Sequence, residues 1–258
     1  MAGMINEFYS RQPQECNKAL ERMGILESSG VQLKGEPKPY VIKPTHQLWN
    51  GTTLPWLAIG YNVRLTPLQI LSFYNGIAND GKLISPLLVK EIRRGAESYR
   101  QFESEVRREQ MAKPSTILLV RHFLEQVVAQ GTARSIRSDK VSMAGKTGTT
   151  RKLIDGEYQE KYRSSFVGYF PADKPQYSCI VVVDEPTGDA YYGSEVAAPV
   201  FKEIAEKVTA FNLKLHPRKM TRIADASEVP LPRITHREDA AAFYSMYGLD
   251  TPERVWSE

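Results

Sequence analysis

The chain has 258 residues, 41% hydrophobic and 25% charged, with 34 basic against 30 acidic side chains and a net charge of +4. This composition excludes a fibrous or wholly disordered protein, and a chain this long buries enough surface to fold without a disulfide or metal staple. Because the charges of both signs are interleaved rather than gathered into a run, the surface reads as solvated, and nucleic acid is not expected as a partner.

Cys16 and Cys179 make no disulfide framework. Neither they nor His46, His122, His216 and His236 show zinc-ligand spacing, so no metal and no cofactor are expected. No stretch approaches the run of about 20 apolar residues that a membrane-spanning helix requires, and Met1 to Glu7 does not read as a basic-then-apolar signal.

In chain order, the first 60 residues read as irregular. Gln14 to Met23 suits a short helix closed by Gly24, and residues 30 to 55, rich in proline, glycine and aromatics, suit extended loop. A firm helix start follows at Thr66: its hydroxyl can cap, Pro67 fits the first helical position, and Gln69 can complete a capping box. Leu68, Leu71, Phe73, Tyr74 and Ala78 are spaced to bury one face of this helix, which Asn79-Asp80-Gly81 stops. Residues 87 to 110 hold one strand candidate, Leu87 to Ile92. A second helix is predicted from Pro114 to Gln130, with Leu118, Phe123, Leu124, Val127 and Val128 on its apolar side and Gly131 past its end.

From Val141 the period changes from helix to strand. Val141 to Thr150, Ser164 to Phe170 and Tyr177 to Val183 read as an antiparallel meander with a turn at Asp155-Gly156. Ser194 is expected to cap a helix to about Phe211, with Val196, Val200, Phe201, Ile204, Ala205 and Val208 inward and Pro199 costing one hydrogen bond. Residues 213–258 read as a polar extension with one short helix, Ala240 to Tyr247, behind the capping box of Thr235 and Glu238.

The segment Gly145-Lys146-Thr147-Gly148-Thr149-Thr150 carries the chemistry. A phosphate-loop reading fails, since the required earlier glycine would fall on Lys140 and a strand rather than a helix follows Thr147. The other reading is the Lys-Thr-Gly element of serine acyltransferases that attack D-alanyl peptides and β-lactams. On an edge strand, a lysine and threonine hydroxyls can hold a substrate carboxylate, while glycine lets a substrate backbone approach.

The surrounding blocks decide between them. Gly60-Tyr61, Thr66-Pro67-Leu68-Gln69, Ala78-Asn79-Asp80-Gly81, Gly131-Thr132-Ala133, Ala144 to Thr149, Ser165 to Tyr169, Pro171-Ala172-Asp173 and Ala197 to Phe201 stand in order. With them the chain resembles the C-terminal part of the transpeptidase domain of class B penicillin-binding proteins, membrane-anchored enzymes that cross-link peptidoglycan, the cell-division type above all. The resemblance implies an α+β fold, an antiparallel sheet with flanking helices. By it, Lys146 and Thr149 are catalytic: the lysine positions and protonates groups, and the Thr149 N–H forms half of an oxyanion hole. Thr147, Gly148, Thr149 and Thr150 bind substrate. It also implies a stem peptide ending in D-Ala-D-Ala and β-lactams as ligands, other septal cell-wall proteins as partners, and a parent protein anchored in the cytoplasmic membrane with this domain outside.

The family's nucleophile is a serine in S-x-x-K, with S-x-N on the opposite wall, and neither pattern occurs in these 258 residues. Residues 1–212 are therefore expected to be the C-terminal portion of such a domain, inactive by itself. Two other readings stand beside this one: a non-catalytic binding or assembly module using the aromatic tail of Phe243, Tyr244 and Tyr247, and nucleotide binding through Gly145-Lys146-Thr147.

Overall fold

The computed structural model describes residues 2–212. Two helices come first, α1 (Ala2–Tyr9) and α2 (Pro13–Arg22), followed by the short strand β1 (Tyr40–Val41), α3 (Thr53–Ala58), β2 (Val63–Arg64) and α4 (Pro67–Ala78). The middle holds β3 (Leu83–Ile84), β4 (Glu91–Arg94), β5 (Glu97–Gln101), β6 (Val106–Arg108) and α5 (Pro114–Ala129). The last part is β7 (Ala144–Ile154), β8 (Glu157–Phe170), β9 (Tyr177–Asp184), α6 (Gly193–Val196) and α7 (Ala198–Phe211).

Strands β7, β8 and β9 form an antiparallel sheet in that order, with Lys146 opposite Val167 and Val167 opposite Ile180. Alternation along β8 sends Phe166 to one face and Tyr169 to the other. Phe166 meets Phe170 and Phe201 of α7 in a core that also takes Val128, Ile136 and Ala205. Tyr169 and Ala144 meet Ile77 of α4 and Ile117 and Leu124 of α5. Helices thus cover both faces of the sheet, which leaves β7 as one of its edges among the described residues.

The capping box is present as the sequence dictates: Gln69 N–H donates to Thr66 Oγ1 at 3.1 Å, and Thr66 N–H donates to Gln69 Oε1 at 2.9 Å. The burial within α4 differs from expectation, however, because its fully buried residues are Gln69, Gly76 and Ile77. On α5 the inward stripe is Ile117, Leu124 and Val128, while Leu118 and Phe123 are 64% and 57% exposed. That helix is apolar on two sides, so periodicity alone could not choose between them.

Other boundaries moved for local reasons. The first 60 residues contain α1, which buries no residue and so leaves no stripe, and α3, whose Pro55 sits in a first turn where its missing N–H has no intrahelical partner. Residues 87–110 hold the hairpin β4–β5 and strand β6 in place of one strand at Leu87, and every residue of β5 is exposed. Strands β7 and β8 run on past the sheet as a polar hairpin to a turn at Asp155 and Gly156, both at positive φ. The last helix is two: α6 is capped at Tyr192 rather than Ser194, and the chain breaks at Ala197 ahead of Pro199. Its second part buries Ala198, Phe201, Ala205 and Thr209, with Val200 left 42% exposed. The expected helix at Ala240 to Tyr247 lies outside the described residues.

Candidate active site

Lys146, Thr147, Gly148, Thr149 and Thr150 all lie on β7. Strand alternation sets Thr147 and Thr149 on the α7 face with Phe166, and Lys146 and Thr150 on the other. The lysine nevertheless bends around the strand edge. Its Nζ donates to the Thr147 carbonyl at 2.9 Å and lies 3.4 Å from Thr147 Oγ1. Lys146 forms no ion pair among the described residues. Although the residue as a whole is exposed, partial burial of the ammonium pulls its pKa below the ordinary lysine value. The result is an unpaired cation beside a hydroxyl on an open sheet edge.

Two further groups, which sequence reasoning read as structural or passed over, complete this edge. Thr132, in the turn after α5, sits with its Oγ1 3.2 Å from Thr147 Oγ1. In the sequence Gly131 reads as a helix stop and the Gly131-Thr132-Ala133 block as part of the resemblance, with no role for Thr132; in the structure the block delivers that hydroxyl to the strand and buries Ala133 completely. On the other side, Gly193 N–H donates to Thr149 Oγ1 at 3.0 Å, leaving that hydroxyl its own proton to donate. Gly193 lies so close to the sheet that a Cβ there would stand 2.4 Å from the Ser165 carbonyl oxygen and 2.5 Å from that of Gly148. A Cβ on Gly148 would in turn meet Ser165 Oγ at 2.6 Å, so the glycine serves close packing as well as access.

The loop before Gly193 is fixed by aromatic contacts. Tyr191 stacks on Tyr162 with centroids 4.1 Å apart, donates to Tyr192 Oη at 3.2 Å, and accepts at its carbonyl from Ser164 Oγ. That tyrosine pair was invisible as a site because its partners, Tyr162 and Ser164, are some 30 residues away. Thr150 stands apart: it is exposed, and no hydrogen bond or ion pair ties it to the other four.

A family model described as the penicillin binding protein transpeptidase domain matches residues 3–206. The chain belongs to that family. Among its relatives is stage V sporulation protein D of Bacillus subtilis, 32% identical over 206 residues, a stretch that takes in 78% of this chain and 31% of that protein. The peptidoglycan D,D-transpeptidase FtsI of Escherichia coli is 29% identical over 187 residues, 71% of this chain and 29% of the relative. The chain thus spans about a third of the length of these transpeptidases. Among solved structures, apo penicillin-binding protein 3 of Mycobacterium tuberculosis superposes with a TM-score of 0.65 at 28% identity, covering 75% of this chain and 45% of that one. Its aztreonam complex gives a TM-score of 0.63 over the same shares. The penicillin-binding transpeptidase fold, α+β with an antiparallel sheet between helices, is the one expected from the ordered blocks.

Proposed function

We propose that this segment supplies the Lys-Thr-Gly wall of a peptidoglycan D,D-transpeptidase. The observation that carries the reading is the unpaired Lys146 ammonium beside the Thr147 hydroxyl on the free edge of β7. In this reading the carboxylate of a stem peptide ending in D-Ala-D-Ala lies against the ammonium and the Thr147 and Thr149 hydroxyls, charge-assisted bonds of the stronger kind. Thr150 extends the strand surface along the peptide, and the Thr149 N–H polarises the carbonyl under attack. The lowered pKa of Lys146 brings its ammonium closer to the range in which it can give and regain a proton.

The nucleophile is a serine hydroxyl from an S-x-x-K segment that these 258 residues do not contain. Its oxygen bonds to the penultimate D-alanine carbonyl carbon as the C–N bond to the last D-alanine breaks and that amine leaves with a proton. A second stem's amine then takes the acyl group and frees the serine. Binding alone creates no nucleophile, so residues 1–258 by themselves form no acyl-enzyme. By the same reading, residues 1–212 are one part of the transpeptidase domain and residues 213–258 a polar extension. The whole protein is membrane-anchored with this domain outside, works beside septal cell-wall proteins, and takes β-lactams at the same wall, as the M. tuberculosis relative takes aztreonam.

The absent S-x-x-K also favours a second reading, a non-catalytic assembly module of this family. A fluorescent penicillin separates the two. The protein joined to its own upstream sequence should label covalently, and Lys146→Ala should slow labelling by about 100-fold, the scale of a lost transition-state contact. Failure of a folded, serine-containing parent to label, or a Lys146→Ala variant that labels as fast, refutes the enzymatic reading.

A further inference from the structure

Away from β7, α2 and the stretch from Leu26 to His46 enclose a cleft of about 900 Å³, the upper end of ordinary ligand pockets. None of Lys146 to Thr150 lines it. Its charge is lopsided: Lys18, Arg22, Lys43 and Arg108 face only Glu21 and Glu27. Glu27 is already shared by Arg107 at 3.1 Å and Arg108 at 2.5 Å. Arg22 and Lys43, both exposed, have no side-chain hydrogen bond or ion pair among the described residues. The Nε of Arg108 is buried with no acceptor. Lys18 is paired with Glu15 at 2.7 Å and Arg108 with Glu27, which leaves Arg22 and Lys43 facing Glu21 alone among the carboxylates that line the cleft.

Another part of the wall is the short strand β1, paired on one side alone among the described residues. Tyr40 and Val41 of β1 line the cleft, and β1 pairs with β2 alone in a two-stranded sheet. The chain leading into β1 is held in place before anything binds: Gln69 Nε2 donates to the Pro37 carbonyl and to Glu36 Oε1, both at 2.9 Å, and the Arg64 guanidinium sits 4.6 Å over the Tyr40 ring. A partner adding to this edge meets a preorganised wall and incurs little ordering cost there. Apolar Leu26, Pro39 and Val41 lie among the cations, which suits side chains of alternating character better than a bare anion.

We propose that this cleft binds an extended acidic peptide, which adds to the edge of β1 and sets its carboxylates against Arg22, Lys43 and Arg108. The site is separate from the β7 edge and does not depend on the transpeptidase reading. The probe is a fluorescein-labelled octapeptide of alternating glutamate and valine, followed by anisotropy with the 258-residue chain. Saturable binding is expected, weakened at least tenfold by Arg22→Glu with Lys43→Glu and by raising salt from about 50 to 500 mM. Circular dichroism checks that the double variant keeps its fold. Lysine in place of glutamate should abolish binding, alternate N-methylation along one edge of the peptide should weaken it about tenfold, and Lys146→Ala should leave it unchanged. The proposal is overturned by any of four results: no binding, equal binding by the folded charge-reversed variant, loss of binding in Lys146→Ala, or complete displacement by equimolar inorganic phosphate.

Discussion

Between Pro114 and Phe211 large aromatic side chains pack on one another across the sheet, whereas before Thr66 polar side chains bonded to backbone and to ion-pair partners share the fastening with smaller buried groups such as Val41, Ile42 and Leu54. In the first region Phe201 packs on Phe166 at 4.7 Å and Phe170 at 5.8 Å, and all three are fully buried. In the second, Asn50 Oδ1 accepts from the Thr52 N–H at 3.0 Å and its hydroxyl at 2.7 Å, and the Glu36 carboxylate accepts from the Ser29 N–H at 2.8 Å. Non-directional burial thus builds the strand that carries Lys146. Directional hydrogen bonds shape the wall of the cationic cleft.

The two kinds of support should fail differently. The largest loss is expected for Phe201→Ala, about 3 to 5 kcal/mol through removal of a ring both partners pack on, read by urea unfolding as an earlier transition for the whole described unit. A cost under about 1 kcal/mol would mean that α7 does not pack on Phe166 and Phe170 of β8 as this core requires. Gly193→Ala comes next, at about 1 to 3 kcal/mol, because its Cβ meets backbone oxygens that cannot swing aside. Its signature is a displaced Thr149 amide resonance, and an unchanged resonance would show that the loop does not bear on the strand. Thr66→Ala removes one bond of the capping box and should cost about 1 kcal/mol, with faster amide exchange confined to residues near the start of α4. Exchange accelerated equally in β8 would erase the distinction between the regions.

The smallest effect is one of pH. Burial pushes the Glu36 carboxyl up, but the Ser29 N–H, the Gln69 side chain and the Arg107 charge together hold it below the ordinary glutamate value. A depressed folded pKa means that its stabilisation is complete above the unfolded value of 4.5 and is lost as pH falls through the folded one. The stability difference between the wild type and Glu36→Gln should therefore be full at neutral pH and close in acid. A difference that widens on acidification contradicts the arrangement around Glu36.

Legibility in the sequence follows the same division. The meander, the two long helices and the Thr66 capping box could be read because each depends on local chemistry or on a period that burial imposes. Lys146 and Thr147 are neighbours on one strand, so the sequence alone sets them side by side; their role is the reading proposed above. Thr132 and the Tyr191 loop could not, since their meaning comes from Thr147, Thr149 and Tyr162 across space. The inward face of α5 was read only in part: Leu124 and Val128 are buried as expected, but Leu118 and Phe123 belong with Leu119 to a second apolar stripe that faces solvent. The cationic cleft was missed for a further reason: its charges sit on separate elements, each looking like ordinary solvated surface when taken alone.

The role of Lys146 is tested most directly by titrating the isotope-labelled chain with a tripeptide ending in D-Ala-D-Ala and following backbone amides. Shifts confined to Thr132, Thr147 to Thr150 and Gly193, and abolished in a folded Lys146→Ala variant, are the predicted result. Absence of shifts, or the same shifts without the lysine, would contradict the assignment of this edge to a peptide carboxylate.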